Sequence, residues 1–265
     1  MKKYLASVIP CIFLCLNLMA QSTSRGDKNT ARQYYQIRIY QLKSALQEQR
    51  VSRFLENAYL PALRRAGFGP VGVFAPVAND TAPIRKLYVL IPLDSLHGML
   101  RVENLWSADA ALQQTGADYL DANHSDPPYE RMETILLQAF PDMPRVEVPA
   151  LTGAKSGRIY ELRSYEGATE KIHQNKVTMF NAGGEIPLFR RLGFNAVFYA
   201  EVIAGSHMPN LMYMTSFDDM AAHDAHWKTF GAEPEWKQLS GDPQYQNNVS
   251  HIDIVLLHPE PYSEL

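Results

Sequence analysis

Residues 60–68, Leu60-Pro61-Ala62-Leu63-Arg64-Arg65-Ala66-Gly67-Phe68, recur 126 positions later as Ile186-Pro187-Leu188-Phe189-Arg190-Arg191-Leu192-Gly193-Phe194. The shared pieces have separate physical jobs. Proline disturbs a preceding helix or starts a new short one. Glycine ends that turn, because it accepts the left-handed conformation of a helix C-terminus. An aromatic residue then re-enters the core. A chain carrying this device twice at one offset is built from two copies of one folding unit.

The rest of each copy follows in step. Tyr35-Gln36-Ile37-Arg38-Ile39-Tyr40 and Tyr160-Glu161-Leu162-Arg163-Ser164-Tyr165 read as opening strands, rich in aromatic and branched residues. A helix follows each. In the first, Ser44 and Gln47 have capping-box spacing, and Leu46, Phe54, Leu55, Ala58, Ala62 and Leu63 form an apolar face. In the second, Thr169 precedes Ile172, Lys176, Met179 and Phe180. Second strands are expected at 71–74 and 196–199, and third strands at 87–90 and 212–215. Acidic helix starts follow at Asp94 and Asp218, and fourth strands at 134–137 and 252–257. Each copy is therefore β-α-β-β-α-β, a ferredoxin-like order. The expected organisation is a first repeat at 33–140, a linker at 141–157 carrying prolines and glycines, and a second repeat at 158–265. Gly153-Ala154-Lys155-Ser156-Gly157 in the linker lacks the spacing of a phosphate loop.

Residues 1–20 differ from everything after them. Met1-Lys2-Lys3 is a positive head, residues 4–19 are almost wholly apolar, and Ala20 precedes a polar run. This is the layout of a secretory signal peptide cleaved after Ala20, and it predicts a periplasmic or secreted protein. An uncleaved membrane anchor is the alternative. Residues 21–32 read as a flexible polar tail. Both cysteines, Cys11 and Cys15, lie in the leader, so the mature chain has no disulfide or thiolate chemistry. No later apolar run approaches membrane length, so no membrane contact is expected after cleavage. With a formal charge of −3 and scattered basic residues, nothing points to nucleic acid.

Tyr160-Glu161-Leu162-Arg163 with Tyr165, then Pro187, Leu192-Gly193-Phe194, Ser216-Phe217-Asp218-Asp219, Trp227, Pro234-Glu235-Trp236 and Pro259 through Ser263 resemble the NIPSNAP domain. The resemblance covers the second copy and, more loosely, the first, which has Gln36 in place of Glu161 and no counterpart of Pro234-Glu235-Trp236. It implies membership of the dimeric α+β barrel superfamily. The expected fold is α+β: two tandem ferredoxin-like repeats whose sheets pack face to face as an α+β barrel, helices outside. The two copies would pair within one chain, and a homo-oligomer is open.

Alternation along a strand puts Glu161, Arg163 and Tyr165 on one face and Tyr160, Leu162 and Ser164 on the other. Gln36, Arg38 and Tyr40 repeat the polar set. A sheet buries its apolar face against helices. The polar face is therefore expected to line the barrel interior, with Glu161, Arg163, Tyr165, Arg38 and Tyr40 as ligand-binding candidates. A structural ion pair between Glu161 and Arg163 is the alternative. His251 shares a strand face with Asp253 and is expected to meet Glu161 and Arg163 as a general base. His223 and His226 stand on one helical face but belong to no metal-binding pattern, so no metal site is expected. No dinucleotide fingerprint or nucleophile elbow occurs, and no cofactor is implied. Three functions stay open: binding of a small organic ligand, a cofactor-independent oxygenase or haem-degrading-type enzyme, and a non-catalytic assembly scaffold.

Overall fold

The computed structural model describes residues 31–265; the leader and nearly all of the polar tail lie outside the described residues. The first copy supplies strands β1 (Tyr34–Leu42), β2 (Gly72–Pro76), β3 (Arg85–Leu93) and β4 (Arg131–Ala139). Its helices are α1 (Ala45–Phe54), α2 (Leu60–Arg65), α3 (Leu96–Glu103), α4 (Leu105–Ala108), α5 (Ala110–Thr115) and α6 (Ala117–Leu120). The second copy supplies β5 (Ile159–Glu166), β6 (Asn195–Ala204), β7 (Asn210–Phe217) and β8 (His251–Pro259). Its helices are α7 (Glu170–Phe180), α8 (Glu185–Arg191), α9 (Met220–Ala232) and α10 (Pro234–Gly241).

All eight strands close one antiparallel barrel in the order β1-β3-β2-β8-β5-β7-β6-β4. Within each copy the order is fourth, first, third, second. The fourth strand of each copy bonds the second strand of the other, β2 with β8 and β4 with β6. Closure leaves no free sheet edge, which is how a barrel escapes edge-to-edge association. It needs no second chain. The segment after β8 fastens the copies further: Ser263 Oγ accepts from the Val73 amide at 2.9 Å, and Tyr262 reaches Ser52 at 2.9 Å.

The local signals explain the elements. Ser44 accepts from the Gln47 amide at 3.2 Å to cap α1, and the Gln47 side chain reaches back one residue beyond the cap, accepting from the Lys43 amide at 2.8 Å. Thr169 and Asp219 cap α7 and α9 the same way. Gly67 and Gly193 both stand at positive φ, 84° and 77°, where the repeated device turns back toward the sheet. In the first copy the proline does not break the chain into separate helices: a π-helical turn at Leu55–Tyr59 carries α1 straight into α2. Leu46, expected on the apolar face of α1, stands in its first turn and is 76% exposed; the buried residues of that helix are Gln47, Val51 and Phe54.

One expectation is overturned. Tyr35, Ile37, Ile39, Tyr88, Leu90, Ile135, Leu137, Tyr160, Leu162, Met212, Met214 and Leu257 form a single cluster drawn from both copies; this is the barrel interior. It is packed with apolar side chains. Arg38 and Tyr40, and Glu161, Arg163 and Tyr165, point the other way, outward beneath the helices. β1 and β5 are buried on both faces along most of their length, and the closing of two sheets on each other takes the more uniformly apolar one. The polar set lies where helix side chains can supply partners.

Candidate functional site

The outer face of β5 and β7 and the helices α7 to α10 line an open-mouthed cavity of about 420 Å³. Its polar lining includes Arg163, Tyr165, Lys176, Glu185 and Tyr213, with Asn248 and its neighbours on one side, and its aromatic walls include Trp227 and Trp236. Arg163 and Tyr213 face each other directly across the β5–β7 ladder.

Each polar group has a partner. Arg163 Nε donates to Glu161 Oε1 at 2.7 Å, and Arg163 Nη1 donates to the Tyr165 hydroxyl at 3.1 Å. The Tyr165 and Tyr213 hydroxyls lie 2.8 Å apart. From α9, Trp227 donates its indole N–H to Glu161 Oε2, and His223 Nε2 lies 3.1 Å from the same oxygen. The Arg163 guanidinium stacks 3.7 Å from the Trp227 ring centroid. Glu161 is thus buried against three donors, and Arg163 keeps one edge on the cavity. Burial pushes the Tyr213 hydroxyl well above the usual phenol range, so it stays neutral.

The second charge pair is Lys176 of α7 with Glu185 of α8, 2.8 Å apart and both buried. The Lys176 ammonium also lies within 6 Å of the Phe180, Tyr165 and Trp236 rings, at 4.7, 5.6 and 5.9 Å. Burial raises the Glu185 carboxyl above the usual carboxylate range, while Lys176 and then Arg163 pull it back. A buried acid with a raised proton affinity beside two cations can exchange a proton with a bound molecule.

The first copy lacks such a cavity. Arg38 pairs with Glu103 of α3, and Gln36 donates to that same carboxylate at 2.6 Å. Tyr59, buried, fills the space over Arg38, and Phe54 stacks on Tyr119 at 3.8 Å between ring centroids. Tyr40 reaches Tyr119 at 3.5 Å. What remains is a recess of about 170 Å³. Arg38 and Tyr40 therefore belong to a filled counterpart of the second-copy pocket.

His251 does not join this site. Its register partner across β5 is Glu166 and that of Asp253 is Ser164, so both histidine and aspartate lie on the inward face, opposite to Glu161 and Arg163. His251 Nε2 lies 3.2 Å from Asp253 Oδ1 at the exposed mouth of the barrel. The histidine that meets Glu161 is His223, from a helix rather than a strand. His226 sends its Nδ1 to the Ala222 carbonyl at 2.7 Å and packs against Phe194 and Phe217.

Lys176, Glu185 and Tyr213 carry the pocket and were not singled out by strand parity. One signal for them lies in the repeat itself. Val51 and Lys176 stand at the same distance past the caps Ser44 and Thr169. Tyr59 and Glu185 each precede the recurring proline segment. Where the copies should match, an apolar pair in one is a charged pair in the other.

Comparison with known proteins agrees with this architecture. No curated protein sequence matches the chain. Among solved structures, a candidate monooxygenase from Fusobacterium nucleatum superposes with TM-score 0.58 at 7% identity, over 87% of this chain and 93% of that one. A candidate monooxygenase from Lactobacillus acidophilus gives 0.55 at 12% identity, over 86% and 94%. An anthrone oxidase-like protein gives 0.53 at 8% identity, over 88% and 93%. At these identities the likeness is one of fold. The NIPSNAP family model matches residues 160–264, the span that builds the pocket. The matched span is the second of the two repeats that close the barrel.

Proposed function

We propose that the protein binds a small, planar organic anion in the pocket of its second repeat. The observation that carries this reading is the buried Lys176–Glu185 pair in the cavity wall, at positions where the first copy has Val51 and Tyr59. A buried ion pair is a poor way to stabilise a fold, since hydrophobic replacements are often as good or better. Its retention on the cavity-bearing side is what a ligand would require. Arg163 and Lys176 would face the anionic group, Tyr165 and Tyr213 would hydrogen-bond it, and Trp227 and Trp236 would flank the ring. The leader-like sequence of residues 1–20 supports a location outside the cytoplasm.

Native mass spectrometry of protein purified from its host tests both parts. It should report a mature N-terminus near Gln21 and a small-molecule adduct that Lys176→Met loses. Titration with benzoate should quench tryptophan fluorescence, and neutral benzamide should not. Equal quenching by the two would sink the anion reading.

A second reading is favoured by the raised proton affinity of Glu185. The same pocket would serve a cofactor-independent oxygenase. Glu185 would take a proton from an acidic phenol or quinol, Arg163 and Lys176 would hold the oxyanion, and dioxygen would be the oxidant. Oxygen uptake with a hydroquinone, lost in Glu185→Gln, tests it.

A further inference from the structure

The other face of β5 ends in a second cluster, at the barrel end where β1 and β5 finish. A funnel of about 370 Å³ opens there, with Leu162, Met212 and Tyr88 toward the interior and Ser164, His207, Asn210 and Asp253 near the mouth. The ligand atoms of Glu166, His207 and Asp253 all lie within 4.8 Å of one another. His207 Nδ1 is 2.8 Å from Glu166 Oε1. These residues come from three places: the end of β5, the β6–β7 hairpin and the start of β8.

We propose that this mouth binds one divalent transition-metal cation through Glu166, His207 and Asp253. Three features argue for it. The first is donor chemistry. Two carboxylates and an imidazole suit zinc or manganese, whereas calcium and magnesium prefer all-oxygen sets. Bonds of about 2.0–2.2 Å from a shared centre put ligand atoms roughly 3–4 Å apart, a small closure from the observed spacing.

The second feature is Asn210. It is buried, sits opposite Glu166 in the β5–β7 register, and lines the funnel. Its amide donates to Ser164 Oγ at 2.8 Å, but its Oδ1 has no donor. A buried amide oxygen without a partner is costly. A cation, or a water bound to it, supplies the missing contact.

The third is support around the ligands. His251 stands 3.2 Å from Asp253 and can orient that carboxylate, as outer partners do in metal sites. His207 occupies the left-handed region at φ 63°, an uncommon conformation for a residue with a side chain, and this aims its ring at Glu166. Glu133 adds a further carboxylate to the rim and Lys86 the one facing cation of the lining.

Chelator-stripped full-length protein should bind zinc or manganese at one site per chain by calorimetry. Asp253→Asn, Glu166→Gln and His207→Gln should each weaken binding at least tenfold, and His251→Gln should weaken it less. His226→Gln should leave it unchanged. Manganese added to the wild-type protein should also broaden the Asn210 side-chain resonances selectively, a readout that does not depend on any variant folding. Absence of saturable binding, or binding that survives Asp253→Asn and His207→Gln, would overturn the proposal. Equal competition by calcium would overturn the transition-metal assignment.

Discussion

Glu103 and Trp227 stand at the same position in the two copies, each eight residues past the cap of its helix, Ser95 for α3 and Asp219 for α9. Each reaches the arginine of its own opening strand. In the first copy the helix brings the carboxylate and the strand brings the N–H donor, Gln36. In the second the strand brings the carboxylate, Glu161, and the helix brings the donor, Trp227. Donor and acceptor have exchanged elements while the arginine stayed in place. Both arginines are held above their usual proton affinity by these surroundings despite burial.

This exchange predicts coupling. Glu161→Gln alone leaves Arg163 buried without a counter-charge and should cost about 3–5 kcal/mol, as breaking one side of a buried pair does. Trp227→Glu alone puts a second carboxylate against Glu161 and removes the stacking on Arg163 and the edge-to-face contacts with Phe189 and Phe194. The double variant recreates the first copy's arrangement. It should be less destabilised than the sum of the singles by about 1–3 kcal/mol. Urea unfolding of the four proteins checks this; strict additivity would show that the two positions do not share Arg163.

The Lys176–Glu185 pair separates binding from stability. Lys176→Met should cost about 3–5 kcal/mol, because Glu185 loses its counter-charge inside the protein. Lys176→Met combined with Glu185→Leu removes both charges and should return to within about 1–2 kcal/mol of the wild type, or exceed it. The double variant should nevertheless bind no benzoate. A stable double variant that still binds would move the ligand away from this pair.

Glu185 also sets a pH dependence. Its folded-state proton affinity is raised by burial, so the native protein holds this proton more tightly than the unfolded chain does. Stability from this group is fully present below the usual carboxylate range and falls as pH rises through the raised folded value. The thermal midpoint of the wild type should therefore decline across that window relative to the Lys176→Met/Glu185→Leu variant, which lacks the group. Parallel pH profiles for the two proteins would contradict the raised affinity.

The repeat was legible because its punctuation is local: Pro61 and Pro187, Gly67 and Gly193, and the caps Ser44, Thr169 and Asp219 act within a few residues of themselves. From those marks the order of elements followed, and the order left few topologies. The facing of the strands was not legible. Parity separates Arg163 from Leu162 but carries no sign, and a closed barrel buries both sides. The cost of burying Arg163 argued for a polar hollow; Glu161 and Tyr165 are local partners, but Trp227 and Tyr213, which complete its surroundings, sit some fifty or more residues away on other elements. For the same reason His251 was grouped with Glu161 instead of with Glu166, its true neighbour in register.

Adjacent residues Leu162 and Arg163 provide the sharpest check on that facing. Leu162 is buried in the barrel interior, and Arg163 looks into the pocket. Leu162→Ala should strip packing from the interior apolar cluster beside the funnel it lines and cost about 2–5 kcal/mol, with benzoate binding kept wherever the protein is folded. Arg163→Lys keeps a positive charge near Glu161 but loses the planar stack on Trp227 and the fork that reaches Tyr165. It should cost less stability than Leu162→Ala and weaken binding at least tenfold. Fluorescence titration and urea unfolding on both variants give two numbers each. The reverse pattern, binding lost in Leu162→Ala and kept in Arg163→Lys, would place the ligand inside the barrel after all.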